Sequence, residues 1–521
     1  MQKMVKKIFI TVLFIALVLA GVTACGKSRT SVITNKEKLG SPQNPFIELD
    51  YDTNTFKTKY VLKWDRINPA IGYIIDANGV ELKTKNNYID VSDCIKTKSG
   101  LNRFTITAEG GKTKENSDES VFEYETEFVS KGLEYAKITD GYSVAKGETD
   151  LTKKLVMPDR VNGEAVTKIA DDGFTVPDHG SIANSGITAI RFPAYTEIIG
   201  NRSFSFADIS ELNFPKQLKR IGLSAFHCCP NLKELIFPKS IEIIDSGAFY
   251  CHDILYSNLE KITFEEDGNL KEIGHDCFTY CKIQEITLPE NLEILASENF
   301  DGCKYLKEIR VNEKNTHFKA VDGVLYSYDG KTLIKYPPGL EKERFIVPEG
   351  VSTIVHEAFT FGMDTVKHID ISSVDYVERH AFSSITAETI TLSAKTKTDS
   401  FPFGSSHFKT VILPEGTSEI QIYGFNGVYM DYIVIPYSVK TIGRQSFDFF
   451  AVLQDRPASE QVRIKYIYYC GNEKDWLKTG YKCNMGEASP TVCFYSENKP
   501  TTSGNFWHYD SDGKTPILWA V

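Results

Sequence analysis

Ten times along this chain a short apolar phrase ends in phenylalanine, and the interval keeps returning to 22 or 23 residues. The series opens with VTKIADDGF at Phe174, TEIIGNRSF at Phe204, LKRIGLSAF at Phe226, IEIIDSGAF at Phe249 and LKEIGHDCF at Phe278. It continues with LEILASENF at Phe300, VSTIVHEAF at Phe359, VDYVERHAF at Phe382, TSEIQIYGF at Phe425 and VKTIGRQSF at Phe447. A fixed period of this size marks a solenoid with one supersecondary unit per repeat. No unit can bury its own apolar face, so each must stack on its neighbours.

The irregular intervals resolve into repeats plus insertions. The 43 residues before Phe425 contain a degenerate repeat, KTKTDSFPF, ending at Phe403. Intervals of 30 and 29 add loops near Asp178 and Asp253 to one repeat. The 59 residues before Phe359 hold two repeats and the insertion VDGVLYSYDGKTLIKYPPG, Val321 to Gly339. Apolar alternation on both sides of Tyr328-Asp329-Gly330 predicts a hairpin there. A second phrase, such as ITAIRFP, LKELIFP and IQEITLP, lies between the Phe phrases. Its period-two ending is that of a half-buried strand, and proline stops it by withholding an N–H. Strands stacked rung upon rung run parallel, and the phenylalanines should form one internal column.

These phrases resemble the BspA-like leucine-rich-repeat family of bacterial surface proteins, over residues 133 to 521. The opening LVMPDRVNGEAVTKIADDGF, the insertion, and the terminal YIYYCGNEKDW and FYSENKPTTSGNFWHYDSDGKTPILW are similar to segments of that family. The resemblance implies a mainly β fold: a right-handed parallel β leucine-rich-repeat solenoid at a cell surface, with adhesion or host-protein binding in some members and no catalytic residues. The degenerate repeat at Phe403 and the Asp178 loop depart from an even concave surface.

Residues 1–24 carry Lys3, Lys6 and Lys7, then an apolar run from Ile8 to Ala20, and are set aside as a targeting segment. Val22-Thr23-Ala24-Cys25 resembles a lipobox, which predicts cleavage after Ala24 and lipidation of Cys25; multiple acyl chains would anchor the chain to the membrane. Residues 25–45 read as a flexible tether. Residues 46–131 lack the repeat and predict a small antiparallel β-sandwich, similar to a fibronectin type III module, with Trp64 and Tyr73 in its core and a two-residue turn at Asn78-Gly79. It reads as a spacer or as a carbohydrate- or protein-binding module. The solenoid takes residues 132–461 and its C-terminal cap 462–521, with Trp507-His508-Tyr509 expected as an aromatic plug closing the last rung.

The net charge of −10 is spread along the chain, without a basic stripe for nucleic acid. Of eleven cysteines, Cys229, Cys281 and Cys303 lie three residues after a repeat phenylalanine and Cys251 two after, which predicts buried core thiols. Adjacent-rung spacing leaves room for a Cys281–Cys303 disulfide, and Cys470, Cys483 and Cys493 leave room for one in the cap. Cys277 and Cys281 lack a second ligand pair, so no metal is expected. His227, His252, His275, His356, His368 and His380 read as turn residues. No nucleophile motif, HExxH or phosphate-cradling loop occurs; the chain is expected to be a cofactor-free, monomeric non-enzyme.

The outward strand positions form the candidate binding face. They comprise Arg191, Glu211, Asn213, Glu234, Lys261, Thr263, Glu285, Thr287, Glu308, Arg310, His368, Asp370 and Tyr432. Such rows serve repeat proteins as binding faces, and equally suit a solvated strand surface. The expected function is a lipid-anchored surface protein using this scaffold for protein–protein interaction, adhesion included. The alternative is non-catalytic glycan capture by the sandwich or by the Tyr326–Tyr336 hairpin.

Overall fold

The computed structural model describes residues 36–96, 100–147, 153–175, 186–252, 254, 257–360, 365–447, 464–481, 489–513 and 515–519. The targeting segment, Cys25, residues 26–35 of the tether, the Asp178 loop and Cys483 lie outside them.

Each rung carries one long and one short strand, joined by turns. The long strands pair in parallel, Glu234–Phe237 with Lys261–Phe264 and Glu285–Leu288 with Glu308–Val311. Towards the C-terminus His368–Ile371, Thr386–Leu392, His407–Ile412, Tyr429–Ile435 and Ile464–Tyr469 form one parallel series. Short strands such as Ile198–Ile199, Arg220–Ile221, Ile243–Ile244 and Glu272–Ile273 line the opposite side. The alternation in the sequence sets this arrangement. In ELIF, Leu235 and Phe237 point into the core while Glu234 and Ile236 face solvent.

Two residues before the repeat phenylalanine, the backbone enters the left-handed region, at Asp172, Arg202, Ser224, Gly247 and Asp276, and again from Glu357 onward. Non-glycine residues adopt this conformation only when held there. The next rung holds them: the Phe204 N–H donates to Ala225 O and the Phe226 N–H to Ala248 O, both at 2.8 Å. The turn drops each ring onto its neighbour. Phe174, Phe204, Phe226, Phe249 and Phe278 stack with centroids 5.2, 5.4, 5.3 and 5.9 Å apart. A second column runs Tyr336, Phe359, Phe382, Phe403, Phe425 and Phe447, so the degenerate repeat keeps its place.

Phe300 departs from the single expected column. It is buried in the same core as Phe278 but joins no ring contact among the described residues. Its rung has a 3₁₀ turn, Ser297–Phe300, in place of the left-handed turn. The Cys277 N–H accordingly donates to the side-chain Oδ1 of Asn299 at 2.9 Å. The insertion follows directly. Phe318–Val321, Val324–Ser327 and Thr332–Lys335 form an antiparallel meander, as the hairpin reading required. Its last strand rejoins the short-strand series beside Thr353–Ile354, and Tyr336 takes the aromatic position of that rung. Where the columns break, Lys335 is fully buried. Its Nζ donates to Asp301 Oδ1, to Glu357 O at 2.8 Å and to Thr360 Oγ1 at 3.0 Å.

The N-terminal module is a sandwich of two antiparallel sheets sharing one core. Phe46–Asp52, Lys57–Lys63 and Tyr88–Asp90 form one sheet. Gly72–Ala77, Val80–Thr84, Leu101–Glu109 and Ser120–Glu125 form the other. Trp64 and Tyr73 meet edge to face at 5.0 Å in its core, and Asn78 and Gly79 both have positive φ, as the two-residue turn requires. Phe46–Asp52 also pairs in parallel with Arg160–Val161 of the solenoid. Module and solenoid thus share one hydrogen-bonded sheet.

At the C-terminus, Trp476 and Tyr481 close the core: Phe447 meets Tyr481 at 5.6 Å, and Trp476 meets Tyr481 at 5.4 Å and Tyr469 at 5.3 Å. The expected plug lies elsewhere. Trp507 is buried on the outer face of the sheet with Val434, Tyr468 and Cys493. Alternation explains this, because residues of one strand parity face away from the core. Cys229, Cys277, Cys281 and Cys303 are free thiols in the core, and Cys470 and Cys493 are free as well.

Candidate binding face

The outward positions do not make one continuous face. They fall into three stretches with different surroundings.

At the N-terminal end, Arg191 is not available to a partner. Its guanidinium meets the buried carboxylate of Asp159 at 2.8 and 3.1 Å and Glu127 at 2.9 Å. It also donates to Met157 O and, across the joint, to Ile47 O at 3.2 Å. Asp159 in turn accepts from the N–H of Leu49 in the module and of Ala194 in the solenoid. Burial works to lower the pKa of Arg191, but Asp159 and Glu127 outweigh it and hold the group above its ordinary value. Beside it, the buried Glu48 of the module gathers Lys63, Arg160 and Tyr195. Burial favours its neutral form, yet these partners hold its carboxyl below the usual range. The strand pattern predicts Arg191 in solvent; the docked module covers it.

The middle stretch is open. Glu211, Asn213, Glu234, Lys261, Thr263, Glu285, Thr287 and Arg310 are exposed and Glu308 is half-buried. A groove of about 740 Å³ crosses three successive long strands here, lined by Lys261, Thr263, Glu285, Thr287 and Glu308 among others. Its carboxylates are Glu260, Glu265, Glu266, Asp267, Glu285, Glu290 and Glu308, against Lys261 and Lys307. Arg310 bridges Glu285 at 3.0 Å and Glu308 at 2.6 Å, which raises its own pKa. Lys314 bridges Glu290 at 3.2 Å and Asp267 at 3.6 Å. The hairpin bounds the groove: the Ile309 N–H donates to Gly323 O at 3.0 Å, so no long strand follows Glu308–Val311 directly.

Beyond the hairpin the row closes. His368 and Asp370 are half-buried; His368 Nδ1 lies 2.9 Å from Thr389 Oγ1. Thr410 and Val434 are buried. Tyr432 is half-buried against Tyr468, at 5.2 Å, in the outer aromatic cluster around Trp507. This cluster turns the last outward positions into a second small core. In the Tyr326–Tyr336 hairpin those two tyrosines are buried, and Tyr328 at its turn is exposed.

One constellation escaped the sequence reading. His227 and His252, expected as separate turn residues, lie with Cys228 so that their donor atoms are all within 4.8 Å of one another. The signal was present as a His-Cys doublet one rung before a Cys-His doublet.

The chain shows no match among curated proteins. Residues 179–307, 255–321 and 339–451 match the BspA type leucine rich repeat region, in six copies. The crystal structure of the pneumococcal vaccine antigen PcpA is similar at 22% identity, with a TM-score of 0.56, covering 71% of this chain and 93% of that one. A leucine rich cell surface protein from Faecalibacterium prausnitzii A2-165 aligns at 20% identity and a TM-score of 0.49, covering 68% and 98%. The likeness to PcpA is one of fold. Among the described residues no helix is long and apolar enough to cross a membrane.

Proposed function

We propose that this chain, a BspA-type leucine-rich-repeat protein, is a surface-anchored, non-catalytic binding protein whose open strand face between Glu211 and Arg310 receives a protein partner. The groove over three adjacent strands carries this reading, because it gathers five of the outward positions into one concave surface. Its carboxylates outnumber its lysines, so the fitting partner segment is extended and basic. Complementary charge of this kind steers encounter and selects partners more than it adds affinity. The lipobox at Cys25 supplies the anchor, and the sheet shared by module and solenoid makes the module a rigid stand for the groove. Adhesion is one use of such a device.

The test is charge reversal. Partners crosslinked on intact cells are identified, and their affinity is measured by surface plasmon resonance against the wild-type chain and Glu285→Lys/Glu308→Lys. Weaker binding at unchanged melting temperature supports the reading, whereas equal affinity rejects it.

Glycan capture is the second reading. The half-exposed Tyr495, 5.2 Å from Trp507 on the outer aromatic cluster, favours it. A glycan array that stays blank with the intact chain removes this reading.

A further inference from the structure

We infer that the turns after Phe226 and Phe249 build a zinc(II) site, with His227, Cys228 and His252 as ligands and Cys251 as the fourth. The argument begins with the rung spacing. Stacked strands bring equivalent residues of successive rungs about 4.8 Å apart, and side chains at the turns converge further. The donor atoms of His227, Cys228 and His252 lie within 4.8 Å of one another. Zinc–sulfur and zinc–nitrogen bonds of roughly 2.0–2.3 Å in a tetrahedron put donors about 3.3–3.8 Å apart, so side-chain rotations must close a gap of up to about 1.5 Å.

The local backbone sets these groups apart from the main core. Cys228 has φ 50° and stays outside the core cluster. Its neighbour Cys229 takes the core position, with Sγ 3.3 Å from Phe204 O. The Cys228 N–H donates to Tyr250 O at 2.8 Å, and the His227 carbonyl accepts from the Phe206 N–H at 2.7 Å. The two rungs are therefore fixed in register before any ion arrives. Cys251 is buried beside Cys228 and hydrogen-bonded to it. The ring of His227 sits 4.8 Å from that of His252 and 5.3 Å from Tyr250. Its Nε2 is shielded from solvent and has no hydrogen-bond partner. A buried ring nitrogen without a partner is costly, and ligation of an ion is one way to satisfy it. Ligation takes the cysteines as thiolates, the form that binds metal. Two imidazoles and two sulfurs are the donor set of closed structural zinc sites. His252 is exposed and gives the ion a way in. Cys251 would release its proton on ligation, so uptake should strengthen as pH rises.

The test uses the purified, reduced chain, titrated with zinc against a chromophoric chelator and separately with cobalt(II). The site predicts one equivalent of either metal and a thiolate-to-cobalt charge-transfer band. Cys228→Ser should weaken the band, and Cys228→Ser combined with Cys251→Ser should abolish it. His252→Ala, at an exposed position that leaves folding intact by circular dichroism, should weaken zinc by more than the ~10–100-fold that loss of an outer-shell partner costs. Three outcomes would overturn the proposal. One is no uptake of either metal. Another is uptake unchanged in every variant. The last is a Cys228–Cys251 disulfide in the isolated protein whose reduced form takes no metal.

Discussion

Arg191 Nη2 lies 2.8 Å from the buried Oδ2 of Asp159, and from there the guanidinium reaches across to Ile47 O in the N-terminal module. The first outward residue of the strand face is thereby a structural fastener. Removing one partner of a buried ion pair leaves an uncompensated charge. Arg191→Met should therefore lower stability by about 3–5 kcal/mol, read from urea unfolding. A change within ~0.5 kcal/mol, typical of a surface site, would place Arg191 in solvent instead.

The break in the aromatic column makes a second prediction. Phe226 and Phe249 stack, whereas Phe278 and Phe300 share the core without a ring contact among the described residues. A double-mutant cycle with leucine at Phe226 and Phe249 should give a coupling of about 0.5–1.5 kcal/mol. The same cycle at Phe278 and Phe300 should be additive within about 0.3–0.5 kcal/mol. Equal couplings would mean an unbroken column.

At that break Lys335 holds Asp301. Lys335→Met should cost about 3–5 kcal/mol by stranding the carboxylate. Adding Asp301→Asn removes the stranded charge and should restore a large part of the loss. Thermal melts of the single and double variants check this; a double variant less stable than the single contradicts it.

Glu357 titrates at the same place. Burial and then its hydrogen bond with Asp301 push its carboxyl up to about 8. Glu298, His356 and Lys335 also face it. The sign follows from the raised value. Between about 4.5, the ordinary value, and about 8, the folded chain keeps a proton that the unfolded chain has lost. Stability should fall as pH rises through that window, and Glu357→Gln should flatten the fall. Melting temperatures of both chains at pH 5 and pH 8 decide it; identical slopes would show that Glu357 ionises freely.

Much of this was readable before folding. The 22–23-residue interval and the period-two phrases set the parallel rungs, and they did so because each rung repeats the same local problem of burying one ring and one strand face. Asn78-Gly79 announced its turn through the need for positive φ at both positions. What could not be read depends on contacts between distant segments. Arg191 has the pattern of an exposed strand residue, and Asp159 together with the module, 144 residues away at Ile47, engages its guanidinium. Phe300 carries the same phrase as its neighbours, but the meander behind it replaces the rung that would have stacked on it. Trp507 obeys strand alternation, yet which parity faces the core is set by register with Ile464–Tyr469 and Thr491–Tyr495. His227, Cys228, Cys251 and His252 converge only once one rung lies on the next.

The binding face is the centre of the account, and site-directed photo-crosslinking reaches it most directly. A photoreactive phenylalanine placed at Thr287, in the groove, is compared with one at Glu293, exposed beyond it, on cells displaying the anchored chain. Adducts to a lysine- or arginine-rich partner segment from Thr287 alone are predicted; adducts from Glu293 with none from Thr287 would contradict the groove as the site.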